Sequence, residues 1–452
     1  MEDYLDLRLA MIVGSIAAAL ILYSRWGWGR RIAGVGLVPA YLMSFCLIHW
    51  PGAALYLLPW YWGGDAAAVE AGFIVSVHGI LAFGVGSVIG GPLITHFVGF
   101  PRSTGPRRVP EQLLARIYLC VGFTCYGLLL TVAGGVPTVT ALVATGWHLV
   151  IVGLGLACWA AWQRARRSFF VGWLIVAALL PLFTLISQGF LSYGVAALFA
   201  VLALVVTFAR PKPAWLIVGM IALYLGLSFY VTYMRDRAGI RDVVWKGAPA
   251  EERIAQLVLS VSNPQWFDPY DVSQLERIDE RLNQNVLVGA AVRYLEVQQN
   301  PFARGETLWE AVIALIPRAL WPEKPVTAGS GTLVTRYTGI SFSPTTSVGI
   351  GHVMEFYVNF GRVGVVVGFA LLGIVISLLD LGAHDRLMKG DWQHFALWYL
   401  PGLALLQTGG SLVEMTSTAG AAFVVVMLVN RLVVPDLRGR PIIVASGEAA
   451  QG

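Results

Sequence analysis

The chain has 452 residues, of which 57% are hydrophobic and 13% charged, and its mean hydropathy is +0.70. That is far too little charge to cover a water-soluble globule of this length, so a soluble single-domain fold is excluded. The net charge of +5 does not point to nucleic acid, because the basic residues follow the succession of apolar stretches and form no single patch.

In chain order, eight apolar stretches near 9–24, 32–56, 70–98, 113–133, 139–161, 168–186, 189–208 and 213–233 read as membrane spans. The first is expected to remain as an anchor rather than be cleaved as a signal peptide. Its start is acidic (Glu2, Asp3 and Asp6 against Arg8), and its run of Ala17, Ala18 and Ala19 lies inside the apolar stretch. Three further stretches near 363–383, 393–409 and 413–430 bring the expected total to about eleven. The four cysteines (Cys46, Cys120, Cys125 and Cys158) lie inside apolar stretches without metal-ligand or redox spacing, and read as small buried hydrophobes. The intramembrane histidines His78 and His148 read as helix–helix hydrogen-bond partners.

The basic residues test this map. Arg25, Arg30 and Arg31 follow the first span, and Arg102, Arg107, Arg108 and Arg116 flank the third connection. Arg164, Arg166 and Arg167 follow the fifth span, Arg210 and Lys212 the seventh, Arg386 and Lys389 the ninth, and Arg431, Arg438 and Arg440 the last. All fall on one side, whereas the opposite connections 57–69, 134–138 and 409–412 carry neither lysine nor arginine. By the positive-inside rule the N-terminus faces outward and the C-terminus the cytoplasm of a bacterial inner membrane. The chain thus divides into residues 1–234 (eight spans), 235–362 (one large outward loop), 363–440 (three spans) and a tail, 441–452.

The large loop carries eleven arginines, two lysines and fourteen acidic residues. Apolar positions at Val272, Leu275, Ile278, Leu282, Val286 and Leu295 predict helix over 271–299. Residues 305–320 predict a short amphipathic helix for the membrane interface, ended by Pro317 and the stiff corner Trp321-Pro322-Glu323-Lys324-Pro325. Residues 326–351, rich in Gly, Ser and Thr, read as a mobile loop over a site.

Arginine outnumbering lysine eleven to two suits bidentate recognition of phosphate, the anion a lipid carries at a membrane face. Arg235, Arg237 and Arg241 fall where the eighth span leaves the membrane, and read as phosphate ligands or snorkelling anchors. Arg318, Arg336 and Arg293 are further ligand candidates. Arg277 and Arg281, beside Glu276, Asp279 and Glu280, read as a solvated helix face, and Arg253 pairs with Glu251 and Glu252. Glu355 and His352, one turn apart at the expected outer boundary, are the general-base candidates, with Glu414 as a substitute. Trp309, Trp321, Tyr337 and Tyr357 are candidates for sugar contacts or interfacial anchoring. No Walker A loop, GxSxG elbow, HExxH or acidic pair at metal-binding spacing is present, so a lipid-linked donor used without metal or other cofactor is expected over a nucleotide sugar.

The run Asn300-Pro301, Gly305-Glu306-Thr307, Ile316-Pro317-Arg318 and Trp321-Pro322-Glu323-Lys324-Pro325, followed by Gly351, Glu355, Asn359-Phe360-Gly361 and Gly364, resembles the signature of Wzy-type polymerases. These are O-antigen and exopolysaccharide repeat-unit polymerases of bacterial inner membranes. The resemblance implies an all-α glycosyltransferase of the C-type architecture that uses undecaprenyl-pyrophosphate-linked glycans as donor and acceptor. It also implies membrane lipids and a chain-length regulator as partners. Arg318 and Lys324 match its PR…WP-KP motif and Glu355 its E-x-x-x-N-F-G motif. An O-antigen ligase shares this layout, with His352 as an imperfect match to a ligase histidine. A transporter would instead show inverted repeats and charges near the midplane.

Overall fold

The computed structural model describes residues 5–26, 34–100, 109–131, 137–209, 215–316, 321, 323–325, 329–342 and 348–434. All regular structure among them is helical. In order the helices are α1 (Leu5–Trp26), α2 (Leu37–Leu55), α3 (Ala66–Gly84), α4 (Gly91–Val98), α5 (Glu111–Thr131), α6 (Pro137–Gly146) and α7 (Leu149–Gln163). There follow α8 (Arg167–Ala178), α9 (Leu180–Gln188), α10 (Ser192–Ala209), α11 (Trp215–Trp245), α12 (Ala250–Ser262), α13 (Val272–Leu282) and α14 (Asn285–Val292). The last are α15 (Glu306–Ala314), α16 (Ser330–Thr338), α17 (His352–Met388), α18 (Trp392–Ala404) and α19 (Leu412–Leu432).

Ten helical stretches among the described residues are long and apolar enough to cross a membrane, some of them two helices joined end to end. The chain is a polytopic membrane protein. Its outward-facing helices leave large apolar side chains uncovered, such as Leu9, Ile12, Ile16 and Leu20 of α1, and lipid is the solvent such a stripe requires. Close packing inside the bundle relies on small residues. A Cβ at Gly86, in the π-turn joining α3 to α4, would run into the Ala370 backbone of α17, and one at Gly91 would run into Ser377.

The expected tenth span, 393–409, is the exception. It is a helix of 13 residues, α18, and the turn after it ends against the start of α17, where the His352 N–H donates to the Thr408 carbonyl at 3.1 Å. α17, against which that turn ends, is not straight. Phe360 and Gly361 leave helical geometry, Gly361 at φ 61°, a value costly for any side chain but open to glycine. Residues 352–359 thereby double back on the long arm 362–388. Phe356 lies where a Cβ on Gly364 or Gly368 would be, and its ring meets Phe369 at 5.5 Å. His352 and Glu355 are 1% and 0% exposed, so both side chains are enclosed by the protein.

The loop region also folds back onto the bundle. The predicted helix 271–299 divides into α13 and α14, broken where the Gln284 N–H reaches the Ile48 carbonyl of α2 at 2.9 Å. The predicted interfacial helix is α15, which runs beside the first turns of α19, with Trp309, Val312 and Leu315 exposed. The Gly/Ser/Thr-rich stretch contains a helix, α16, rather than loop alone. Of the basic residues used in the topology argument, Arg25 is not a surface charge. It is buried, donates to Ser377 Oγ at 2.5 Å, and lies near the carboxylate of Asp380. Arg30, Arg31, Arg102, Arg107, Arg108, Arg210, Lys212, Arg438 and Arg440 lie outside the described residues.

Candidate functional site

The doubled-back arm of α17 brings its polar residues against α15 and α19. Gly305, at φ 97°, turns the chain into α15, and its N–H donates to Asn359 Oδ1 at 2.8 Å. The Asn359 amide donates to Thr307 Oγ1 and to the Glu355 carbonyl, both at 2.7 Å. One buried asparagine thus ties the Gly305-Glu306-Thr307 stretch to the Glu355 turn. Removing its amide breaks all three of these hydrogen bonds. Asn359→Ala is expected to lower stability by about 2–4 kcal/mol. Thermal unfolding of the purified protein checks this.

Glu355 Oε2 accepts the backbone N–H of Leu412, in the first turn of α19, at 2.6 Å. Its Oε1 makes no close hydrogen bond among the described residues, although the Thr307 hydroxyl, whose oxygen accepts from Asn359, is near enough to stabilise the carboxylate. Leaving a buried carboxylate oxygen unsatisfied costs on the order of several kcal/mol. Taking a proton from a bound hydroxyl relieves that cost, which is what a general base does. Glu414 and Glu310 are within electrostatic reach of Glu355. Glu414 completes a capping box with Ser411 at the α19 N-terminus and accepts from Ser330 Oγ of α16 at 3.0 Å. Glu310 is pushed above the ordinary carboxylate range by burial and then by the charge of Glu306. The one arginine described beside these acids is Arg336, 3.4 Å from Glu306 and half exposed.

His352 and Glu355 are both enclosed, but their side chains meet different neighbours. Its Nδ1 is 3.0 Å from the Tyr41 hydroxyl, and Nε2 has no partner among the described residues. The imidazole lies flat against Tyr41, with the rings inclined by 11°, and belongs to the bundle core. Tyr337 is also buried, 5% exposed. Arg293 pairs with Asp65 at 2.7 Å at the start of α3. Lys324 donates to the Ala314 and Ile316 carbonyls at the end of α15, where a cation satisfies free carbonyls and the helix dipole. Lys324→Met should therefore cost stability on the order of 0.5–2 kcal/mol, measurable as a small drop in unfolding temperature. Arg318, with Pro317 and Pro322, lies outside the described residues.

Arg235, Arg237 and Arg241 line a second, separate cleft, between α11 and α13, which shares no lining residue with the Glu355 cluster. Arg277 lines it too, so it is not simply a solvated helix face. The sequence reading missed Glu310 and the partnership of Tyr41 with His352. Glu310 carried a signal, one helical turn after Glu306 on an otherwise apolar helix. Tyr41 carried none, being 311 residues from its partner.

Residues 107–409 match a family described as a domain of unknown function, DUF8712. The chain belongs to that family. No curated protein and no solved structure matches it. The matched span covers the Glu355 arm, α15 and the arginine cleft, and ends just before α19.

Proposed function

We propose that the chain polymerises oligosaccharide repeat units carried on undecaprenyl pyrophosphate, by glycosyl transfer at the periplasmic face of the inner membrane. The observation that carries this reading is the meeting, through Asn359, of the two sequence stretches that resemble Wzy-type polymerases, next to a buried carboxylate with one unsatisfied oxygen.

In this reaction an acceptor hydroxyl on the new lipid-linked unit attacks the anomeric carbon of the donor glycan. The bond from that carbon to the diphosphate oxygen breaks, and the diphosphate leaves with the electron pair. Glu355 takes the hydroxyl proton as the new glycosidic bond forms. Arg336, with Arg318, offsets the charge that builds on the leaving diphosphate. His352, pinned by Tyr41, positions the Glu355 turn and does not touch substrate. Glu414 fixes the start of α19, whose Leu412 N–H holds the Glu355 carboxylate. A chain-length regulator would act on this enzyme from outside the reaction.

The test combines purified protein in detergent with a lipid-pyrophosphate-linked repeat unit, products being resolved on a ladder gel. A ladder supports the polymerase. Absence of a ladder with the native repeat unit, in active membranes as well, overturns it. In cells, loss of long chains with single-unit attachment retained marks a polymerase, and loss of all attachment a ligase.

A further inference from the structure

The cleft between α11 and α13 is open, about 490 Å³ in volume, and lined by Arg235, Arg237, Arg241 and Arg277 together with Glu276 and Glu280. Two of its arginines are already engaged. Arg235 forms a two-bond pair with Asp236, its closest contact 2.7 Å, and Arg277 donates to the Gln265 side chain at 3.2 Å. The other cations are not neutralised in this way. Arg237, Arg241 and the neighbouring Arg281 make no ion pair within salt-bridge distance among the described residues, and each lies within electrostatic reach of the other two.

Their surroundings make this arrangement costly. Arg241 lies over the Phe190 ring at 4.5 Å and the Trp245 ring at 5.2 Å, and its Nε reaches the Gly189 carbonyl at 3.4 Å. The aromatic faces fix the guanidinium without supplying a counter-charge. Arg281 is half-buried, its Nε is enclosed without a partner, and burial followed by the charge of Arg237 holds it below the ordinary arginine value, with Glu280 offsetting only part of this. Three converging guanidiniums with spare donors lower their free energy when an anion enters, and planar forks match phosphate oxygens pairwise.

We propose that this cleft is an anion-binding site for a phosphate or diphosphate group, completed by Arg281 and separate from the Glu355 cluster. Arg237, Arg241 and Arg281 supply the ligating donors, and Phe190 and Trp245 hold Arg241 in place. The site does not depend on the polymerase reading. A phosphate of this kind comes from a membrane lipid headgroup or from a free or lipid-linked diphosphate. Both present the same oxygens to the cleft.

Calorimetric titration of the purified full-length protein with inorganic pyrophosphate tests the site, with the protein in neutral detergent and again in nanodiscs of phosphatidylcholine alone or mixed with phosphatidylglycerol. Saturable pyrophosphate binding that falls about tenfold or more in Arg237→Ala and in Arg281→Ala supports the proposal. If phosphatidylglycerol nanodiscs displace that binding in the wild type and not in the variants, the cleft takes lipid headgroups as well. If they leave it unchanged, it is selective for the diphosphate. Absence of saturable binding, or binding that both variants keep at wild-type strength while their unfolding temperatures are unchanged, overturns the proposal. Lys246→Ala, on an exposed pair outside the cleft, controls for general loss of charge. Glu355→Gln should bind pyrophosphate here like the wild type while losing chain elongation, so failure of either reading is visible without the other.

Discussion

Replacing Glu355 by Gln is expected to reduce chain elongation by about 10²–10⁴-fold, the usual contribution of a positioned general base, while leaving the fold intact. Gln keeps the shape and retains an oxygen for the Leu412 N–H, so the α17–α19 contact survives. What it loses is the capacity to accept a proton at the carboxyl, where Oε1 has no hydrogen-bond partner among the described residues. Initial rates on a lipid-linked repeat unit, with thermal unfolding as the control for fold, decide the matter. An active Glu355→Gln protein of normal stability would remove Glu355 from the chemistry. Glu414→Gln is expected to have a smaller effect, because the Glu414 carboxyl is already bonded to Ser330 and to its own helix cap.

Asp380→Ala is expected to destabilise the protein by about 2–5 kcal/mol, because it leaves two backbone N–H groups without their acceptor. Asp380 is 1% exposed, and its Oδ1 accepts the backbone N–H groups of Val35 and Leu37 at 2.9 and 2.8 Å, fixing the entry of α2. Arg25 lies buried within electrostatic reach of Asp380, so the substitution also removes a nearby opposite charge. The double variant Arg25→Met, Asp380→Leu should recover part of the loss, since it removes the buried positive charge together with its negative neighbour. Denaturant-induced unfolding in detergent measures both. Equal stability of wild type and Asp380→Ala would show that the pair carries no net weight.

Much of the bundle was legible in the residues because a bilayer imposes a single requirement, that every crossing segment be long, apolar and internally hydrogen-bonded. That requirement acts on composition within a window and needs no distant partner. Segments folding back on the bundle escape it. The predicted span 393–409 reads as apolar, yet α18 is only 13 residues long, and the turn after it meets His352, at the start of the doubled-back residues 352–359. The site divides in the same way. Gly305, Thr307, Glu355 and Asn359 all stand in the stretches that resemble the polymerase signature, but nothing local says that the Asn359 side chain joins them. The carboxylate neighbours of Arg277 and Arg281 in sequence suggest local pairing, and nothing local shows that Arg277 lines one cleft with Arg237 and Arg241 or that Arg281 lies within electrostatic reach of Arg237.

The sequence by itself determined a polytopic all-helical membrane protein, the approximate place of ten spans, and an arginine-rich region between the eighth and ninth of its expected eleven. Hydrophobic length and charge placement are properties of contiguous residues, so a single chain displays them. Tertiary structure decided which polar groups share an enclosed space. It turned α17 back at Gly361, buried Glu355 against the start of α19, and set apart the arginines of α11 and α13. Those outcomes rest on contacts between residues tens to hundreds of positions apart, each fixed by close packing and by the cost of leaving a buried polar group unpaired.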